Sequence, residues 1–315
     1  MTHPKTSELE RELVSRLREI ASGNARAMAA TVVVVSEAAE AEAADAVVDR
    51  LMGKRPARVL HLRGYASEGF KSWSSARCSL DRQSRGVCFE DIYLESPDDS
   101  AYESRIWAPF VVRELPALLF WNLGPKLLSS CDYDCADRVD LTFVDGTKDI
   151  ARFGSAIDSY ASAALAAIEE TSGFADLAWE RSLPLRLAAS RLFDGEAADL
   201  ASVDAVRIRA GDEWSAALLR GWIESRLGKR GERIVFDTGV AEEHDGPSVA
   251  FTLGNGKTAQ ATFRDSRRAL LRFADRSVLE VTYPEPDDGL ALARLVDAPL
   301  ADPLFAEALR MLVRY

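Results

Sequence analysis

One stretch near the start of the chain limits the fold more than any other feature. Residues 31–53, TVVVVSEAAEAEAADAVVDRLMG, begin with a continuous apolar run and continue as an alanine-rich helical pattern. A second apolar run, RPARVLHLRG, follows the stop at Gly53. Continuous apolar strands are typical of parallel sheets that are covered on both faces, and a strand, a helix and a second strand make one βαβ crossover. The sequence therefore predicts an α/β fold, with a parallel pair of strands in the unit from Thr31 to Gly64.

The segments that follow this unit predict a mixed sheet. KSWSSARCSLD and GVCFEDIYLES are extended segments on either side of the polar RQSR, so we expect them to pair as an antiparallel hairpin. Asp98, Asp99 and Ser100 are capping candidates ahead of a helix. A short strand is expected at about residues 117–121, and DRVDLTFVDG at 137–146 is expected to be the last strand of this domain.

The length of the chain, 315 residues, exceeds that of a typical single domain and favours two. From about Thr147 to Phe193 the pattern is helical, with Pro184 marking a helix start or break. After it, DAVRIRAG opens a second α/β unit. This unit continues with an amphipathic helix that ends at Gly228, several strand-like runs with a hairpin turn at GNG, residues 254–256, and two closing helices.

These patterns together predict two α/β domains with mixed sheets, joined by a helical connector. The predicted limits are 1–147 for the N-terminal domain, 148–198 for the connector and 199–315 for the C-terminal domain.

Charge and composition exclude several classes of partner. Lys and Arg total 39 against 50 Asp and Glu, and the net charge of -11 argues against a nucleic-acid or anionic-membrane partner, because both need a basic face. The longest apolar stretch, APFVVRELPALLFWNLG, is interrupted by Arg113, Glu114 and Pro116, so we expect no membrane span. Four cysteines and the absence of a charged-then-apolar leader at the start favour free thiols and a cytoplasmic protein.

No catalytic or cofactor motif stands out in the chain. A dinucleotide or Walker-type site after the first strand would need glycines, but the turn carries Ser36, Glu37 and Glu40, which we expect to cap the helix and fill its acidic first turn. Histidine is scarce, and His61 alternates with leucines in a strand, as a packed residue would. We therefore predict no catalytic residue, no cofactor and no metal site.

The cysteines offer one redox candidate. Cys131 and Cys135 in CDYDCADR are four residues apart, so on a helix they would face the same way and could form a reversible disulfide. A structural zinc site would need two further ligands, which only Cys78 and Cys88 could supply. Free thiols are the simpler expectation for these last two residues.

The aromatic residues point to a possible contact surface. Tryptophan and tyrosine concentrate binding energy at protein interfaces. In ELPALLFWNLGP the apolar run ends on Trp121 and Asn122, at the carboxyl end of the expected strand, where α/β sheets expose their binding edge. These two residues are therefore partner-contact candidates, with ordinary packing of the ring as the alternative.

The order of segments resembles the OpcA family of glucose-6-phosphate dehydrogenase assembly or effector proteins. Three stretches carry the resemblance: RPARV at 55–59, LPALLFWN at 115–122 and DLAWERSLPLR at 176–186. Ala57, Asn122 and Leu185 stand where the family pattern often has Cys, Trp and Trp. Trp179 and Arg181 in the third stretch are further partner-contact candidates.

The resemblance implies a non-catalytic effector that binds glucose-6-phosphate dehydrogenase and promotes its active oligomer. Two alternatives remain open. One is a sugar-phosphate or nucleotide-binding α/β protein, which a pocket lined with Arg58, Arg63 or Arg138 would support. The other is a thiol redox sensor that acts through Cys131 and Cys135.

Overall fold

The computed structural model describes residues 28–52, 54–80, 86–124, 138–170, 173–194, 200–228, 233–242, 245–273, 278–285 and 287–314, together with residues 11, 12, 14 and 15. The chain divides into two compact units, each built from several segments. The first unit comprises 1–144, 166–175 and 288–301, and the second comprises 145–165, 176–287 and 302–315.

Both halves of the chain contain strands and helices. The strands are β1 (Ala30–Glu37), β2 (Ala57–Gly64), β3 (Lys71–Leu80), β4 (Gly86–Glu95), β5 (Ala117–Asn122), β6 (Leu141–Val144), β7 (Phe174–Asp176), β8 (Val203–Ala210), β9 (Val235–Val240), β10 (Ser248–Leu253), β11 (Thr258–Phe263), β12 (Arg268–Phe273) and β13 (Leu279–Thr282). The helices are α1 (Ala41–Asp49), α2 (Ser104–Trp107), α3 (Gly146–Phe153), α4 (Ile157–Glu170), α5 (Leu177–Arg181), α6 (Leu183–Arg191), α7 (Glu213–Leu227), α8 (Asp288–Asp297) and α9 (Pro303–Leu312).

The first sheet has seven strands in the order β3-β4-β2-β1-β5-β6-β7. β1 is parallel to β2 and to β5, and the valines of β1 are almost completely buried because the strand lies at the centre of the sheet. α1 buries Ala44, Val47 and Val48 and packs against β1. The predicted βαβ unit is thus confirmed, and so is the strand expected at about 117–121.

The predicted hairpin is also confirmed, because β3 and β4 pair antiparallel while β4 runs parallel to β2. The expectation of free thiols at its two cysteines is wrong. The register places Cys78 directly opposite Cys88, with their Cα atoms 4.0 Å apart, and the two form a disulfide. The disfavoured zinc alternative for this pair loses its basis, since bonded sulfurs are not thiolate ligands.

Two further expectations about the first sheet are wrong. β6 is not its last strand, because β7 lies beyond it within a segment that was predicted to be helical. Ser36 does not cap a helix, since β1 continues to Glu37 and a short 3-10 turn, Ala38–Glu40, precedes α1. The carbonyl of Ser36 instead accepts a hydrogen bond from the Tyr102 hydroxyl at 2.8 Å.

The second sheet has six strands in the order β13-β12-β11-β10-β8-β9. β8 and β9 are parallel and the other described pairs are antiparallel, so this sheet is mixed as well. Asp212 caps α7 by accepting from the Ser215 amide, and α7 ends at Gly228, whose φ of 60° favours glycine. The predicted hairpin turn at 254–256 joins β10 to β11.

The structure confirms a fold of two α/β units with mixed sheets. The sequence-based domain limits, 1–147, 148–198 and 199–315, stay a prediction. In the described part of the chain, the helices are too short or too polar to cross a membrane.

Candidate functional site

Two conspicuous segments of the sequence meet in the second unit. Asp145 and Gly146 belong to the VDGTK stretch, and Asp176 opens the DLAWERSLPLR stretch. Together with four other residues, the two aspartates form what we call the carboxylate cluster. Its members are Asp145, Asp149, Tyr160, Asp176, Arg181 and Trp214.

Asp176 lies at the centre of the carboxylate cluster and is fully buried. Its carboxyl group accepts hydrogen bonds from Trp214 Nε1 at 2.8 Å, from the Ala178 amide at 2.7 Å and from the Gly146 amide at 3.2 Å. The bond from Ala178 caps α5. The Asp176 side chain thereby connects the start of α3, the start of α5 and Trp214 of α7.

Gly146 is required for this close approach. A Cβ atom at position 146 would collide with Asp176 Oδ2 and Trp214 Nε1. Any other residue would push the indole away from the carboxyl group that it satisfies.

Asp145 is the acid of the carboxylate cluster that pairs with an arginine. Its side chain is 1 % exposed and forms a bidentate pair with Arg181, at 2.8 Å and 2.9 Å. Lys148 Nζ lies 3.6 Å from the same carboxylate. Burial opposes ionisation, but the hydrogen bonds and charge of Arg181 lower the pKa of Asp145 below its ordinary value.

Asp149 and Asp176 behave differently, because their hydrogen-bond donors are neutral. The Tyr160 hydroxyl donates to Asp149 Oδ2 at 2.9 Å, and the Tyr160 ring meets Trp214 edge-on at 5.1 Å between centroids. Burial raises the pKa of Asp149 to about 7 and that of Asp176 to about 7. Burial also raises the pKa of Tyr160 well above 10.

The rest of the DLAWERSLPLR stretch is held against α9. Trp179 Nε1 donates to Asp302 Oδ2 at 2.8 Å, and Asp302 caps α9 through the Leu304 amide. The Arg186 guanidinium lies 3.6 Å from the Trp179 ring centroid, in a cation–π contact. This stretch is therefore packed along its length.

A second buried ionic cluster lies in the first unit, between side chains of α1 and of strands β2, β3 and β4. We call it the hairpin network. His61 Nδ1 is 2.7 Å from Asp45 Oδ1, and His61 Nε2 is 3.1 Å from Asp91 Oδ1. Arg63 pairs with Asp45 at 2.6 Å, and Arg77 pairs with Asp91 at 2.7 Å. Arg77 also reaches Asp49, at 2.9 Å, and Arg63 reaches Glu95, at 3.2 Å.

Every acid in the hairpin network contacts a basic side chain. Burial alone would lower the pKa of His61, but its hydrogen bonds to Asp45 and Asp91 raise it above the ordinary value. Burial opposes ionisation of Asp91, yet Arg77 and His61 hold its pKa low. Tyr93 stacks between His61 and Trp73, with centroids 4.3 Å and 4.8 Å apart, and covers the network.

The partner-contact candidates lie mostly below the surface. Trp121 and Trp179 are each 1 % exposed, and Trp121 Nε1 donates to the Gly124 carbonyl at 3.2 Å. Asn122 is 8 % exposed, whereas the side chain of Arg181 is 26 % exposed. Trp121 and Asn122 belong to the first unit, whereas Trp179 and Arg181 belong to the second. The contact role of all four residues stays a prediction.

Cys131 and Cys135 lie outside the described residues, and so do His3 and His244. His61 is packed as predicted. Sequence reasoning missed Asp145, Asp149, Asp176, Tyr160 and Trp214. One signal could have found two of them: Asp145 directly follows an apolar strand, and Asp176 opens one of the three stretches that carry the family resemblance.

The fold and these clusters define a class: a two-unit α/β protein with a buried, hydrogen-bonded cluster of ionisable side chains in each unit. Among the described residues, no group of three or more His, Cys, Asp or Glu side chains is placed to hold a metal ion. The carboxylate cluster can store protons near neutral pH and can hold the two segments rigidly together.

Two family models match the chain. One is described as the glucose-6-phosphate dehydrogenase subunit N-terminal domain and covers residues 48–156, and the other as the C-terminal domain of the same subunit and covers residues 172–309. The chain belongs to the OpcA family. No curated protein sequence matches it.

Two of the solved structures that match are distant likenesses. An oxidoreductase from Sinorhizobium meliloti matches with a TM-score of 0.43 and 14% identity, over 70% of this chain and 81% of that one. A biliverdin reductase from Synechocystis sp. PCC 6803, in complex with biliverdin and NADP+, matches with a TM-score of 0.35 and 10% identity, over 91% of this chain and 97% of that one. At these scores neither supports a functional conclusion.

Proposed function

We propose that the chain is a non-catalytic effector that binds glucose-6-phosphate dehydrogenase and promotes its active oligomeric form. The observation that carries the proposal is the pair of family models, both described as domains of a glucose-6-phosphate dehydrogenase subunit, which together span most of residues 48–309. A cytoplasmic location is part of the proposal.

The mechanism we propose is differential binding. An effector that binds the active oligomer more tightly than the inactive form shifts the population toward the active oligomer, and it can do so only by the difference between the two affinities. The effector then needs a rigid surface rather than a reactive group. Two buried ionic clusters that lock helices onto strands support such a surface in each unit.

Arg181 is the contact candidate that lies closest to solvent. Its guanidinium is oriented by the buried Asp145 carboxylate, so its position is fixed before any partner arrives. In this proposal Trp121 and Trp179 are core residues, each of which stabilises the surface of its own unit. Asn122 and Arg181 contact the dehydrogenase.

A kinetic titration tests the proposal. Purified dehydrogenase from the same organism is assayed at subsaturating substrate with increasing amounts of the chain. We expect the initial rate to rise and then saturate as a complex forms. An initial rate that does not change at any ratio, together with separate elution of the two proteins, would contradict the proposal.

A matched pair of variants tests the contact role of Arg181. Arg181→Gln and Lys148→Gln each remove one positive charge beside Asp145, but only Arg181 is a contact candidate. We expect Arg181→Gln to require a higher concentration for half-maximal activation and Lys148→Gln to behave as the unmodified chain. Equal effects of the two variants would remove Arg181 from the contact surface.

A further inference from the structure

The first unit contains a cavity of about 810 Å³ at the amino ends of β5 and β6. This volume is in the range of small-molecule sites, roughly 300–1,000 Å³. The position differs from the carboxyl-end site that α/β sheets usually offer. Its apolar lining includes Pro109, Val111 and Leu115, and its polar lining includes the three arginines Arg105, Arg113 and Arg138.

Backbone hydrogen bonds hold one wall of the cavity in place. The Val111 amide donates to the Ala108 carbonyl at 3.1 Å, and the Leu115 amide donates to the Val112 carbonyl, also at 3.1 Å. The Val112 amide donates to Thr31 Oγ1 at 3.2 Å, which ties this wall to β1. The cavity is therefore preformed, so a ligand would not have to order the wall on binding.

The charges around the cavity favour an anion. Arg113 is exposed and, within the described part of the chain, has no ion-pair or hydrogen-bond partner; Arg138 is exposed and lines the same cavity. Arg105 is largely neutralised by its ion pair with Glu103. Asp140 opposes an anion, but its Oδ2 accepts the Ala117 amide at 2.8 Å and so faces the strand end.

The other two arginines that a sugar-phosphate site was expected to use do not line the cavity, and both form ion pairs elsewhere in the first unit. Arg58 pairs with Glu90 at 2.8 Å and is buried, and Arg63 pairs with both Asp45 and Glu95. Only Arg138 of the three lines the cavity, where it is joined by Arg105 and Arg113. In a chain of net charge -11, these arginines are placed together rather than scattered.

We propose that this cavity binds a small organic phosphomonoester. The phosphate lies between the guanidinium groups of Arg113 and Arg138, which can donate bidentate hydrogen bonds to it. The organic part of the ligand lies against Val111 and Leu115. This site is independent of the proposed effector function, because it can be measured on the isolated chain.

Isothermal titration calorimetry of the full chain tests the site with three probes: inorganic phosphate, glucose 6-phosphate and phenyl phosphate. We expect both esters to bind more tightly than inorganic phosphate, since the cavity also accommodates the organic group. Affinity should fall as salt is added, because the contacts are ionic. No measurable binding of any probe at low salt would overturn the proposal.

Two double variants test whether the esters bind at this cavity. Arg113→Ala combined with Arg138→Ala should weaken ester binding at least tenfold. The control combines Arg264→Ala with Arg272→Ala, which removes two exposed arginines from the second unit and changes net charge equally. We expect unaltered binding in the control. Equal loss in both double variants, or loss in neither, would overturn the proposal. Thermal unfolding curves that match the unmodified chain confirm that each variant folds.

Discussion

The hairpin network of the first unit and the carboxylate cluster of the second are both buried, yet they carry charge differently. In the hairpin network, every acid contacts Arg63, Arg77 or His61. In the carboxylate cluster, the hydrogen bonds of Asp149 and Asp176 come from a hydroxyl, an indole and backbone amides. The basic partners lower the pKa of Asp45 and Asp91 in the hairpin network, whereas burial raises the pKa of Asp149 and Asp176 to about 7.

The difference shows that the charge of the donor, rather than the number of hydrogen bonds, decides whether a buried acid is ionised. Asp176 accepts three hydrogen bonds and still holds its proton near neutral pH, while Asp145 loses its proton because one arginine binds it. We therefore expect the stabilising effect of the carboxylate cluster to change near neutral pH, where Asp149 and Asp176 titrate.

The largest expected effect comes from Asp91→Asn in the hairpin network. The change removes the buried carboxylate that His61 and Arg77 share and leaves them with Asp45 and Asp49, and breaking a buried pair costs about 3 kcal/mol. Denaturant unfolding measures this loss. The imidazole of His61 should also titrate at a lower pH in the variant, which NMR can follow. A stability loss with no change in that titration would show that His61 does not depend on Asp91.

Trp214→Phe should have a smaller effect, in the carboxylate cluster. It removes the Nε1 donor to Asp176 while keeping an aromatic ring against Tyr160, and leaving a buried acceptor less satisfied costs about 2 kcal/mol. Because that hydrogen bond lowers the pKa of Asp176, the variant should hold its proton to higher pH. Unfolding free energies measured at pH 5 and pH 8 would expose this change. If the unfolding free energy of the variant equals that of the unmodified chain at both pH values, the hydrogen bond from Trp214 to Asp176 does not contribute as described.

Asp149→Asn tests the pH dependence directly. The folded chain holds the Asp149 proton up to about pH 7, whereas the unfolded chain releases it near its ordinary pKa of about 3.9. The unfolded state therefore binds fewer protons in that window, so stability falls as pH rises from about 4 to about 7. The variant should therefore lose less stability than the unmodified chain between pH 5 and pH 8. Parallel curves for the variant and the unmodified chain would refute the raised pKa.

Asp49→Asn should have the smallest effect and is the control for Asp91→Asn. Both acids pair with Arg77, but the side chain of Asp49 is 43% exposed. An exposed pair of this kind is worth about 0.5 kcal/mol. A loss in denaturant unfolding as large as that of Asp91→Asn would show that burial does not separate the two pairs.

Much of the fold could be predicted from the sequence, because long apolar runs and strong turn signals set it. The β1-α1-β2 unit, the hairpin, β5, β8 and α7 all belong to this group. β7 could not be predicted, since it has three residues inside a helical pattern and exists only because the sheet accepts it beside β6. The Cys78–Cys88 disulfide depends on the register of β3 against β4, which the polar RQSR turn does not specify.

The candidate site was harder to predict than the fold. Tryptophan is common at protein interfaces, but the rings of Trp121 and Trp179 both fill the core. The carboxylate cluster joins residues that are up to 69 positions apart, from Asp145 to Trp214, so no local pattern reveals it. Aspartates in a chain with 50 acids carry little information until the fold buries them.

Light scattering on the dehydrogenase with and without this chain tests the central claim most directly. The account predicts a species heavier than the dehydrogenase alone by the mass of bound effector, together with a shift of the dehydrogenase toward its active oligomer as the ratio increases. Two separate species whose masses do not change at any ratio, with an unaltered catalytic rate, would contradict it.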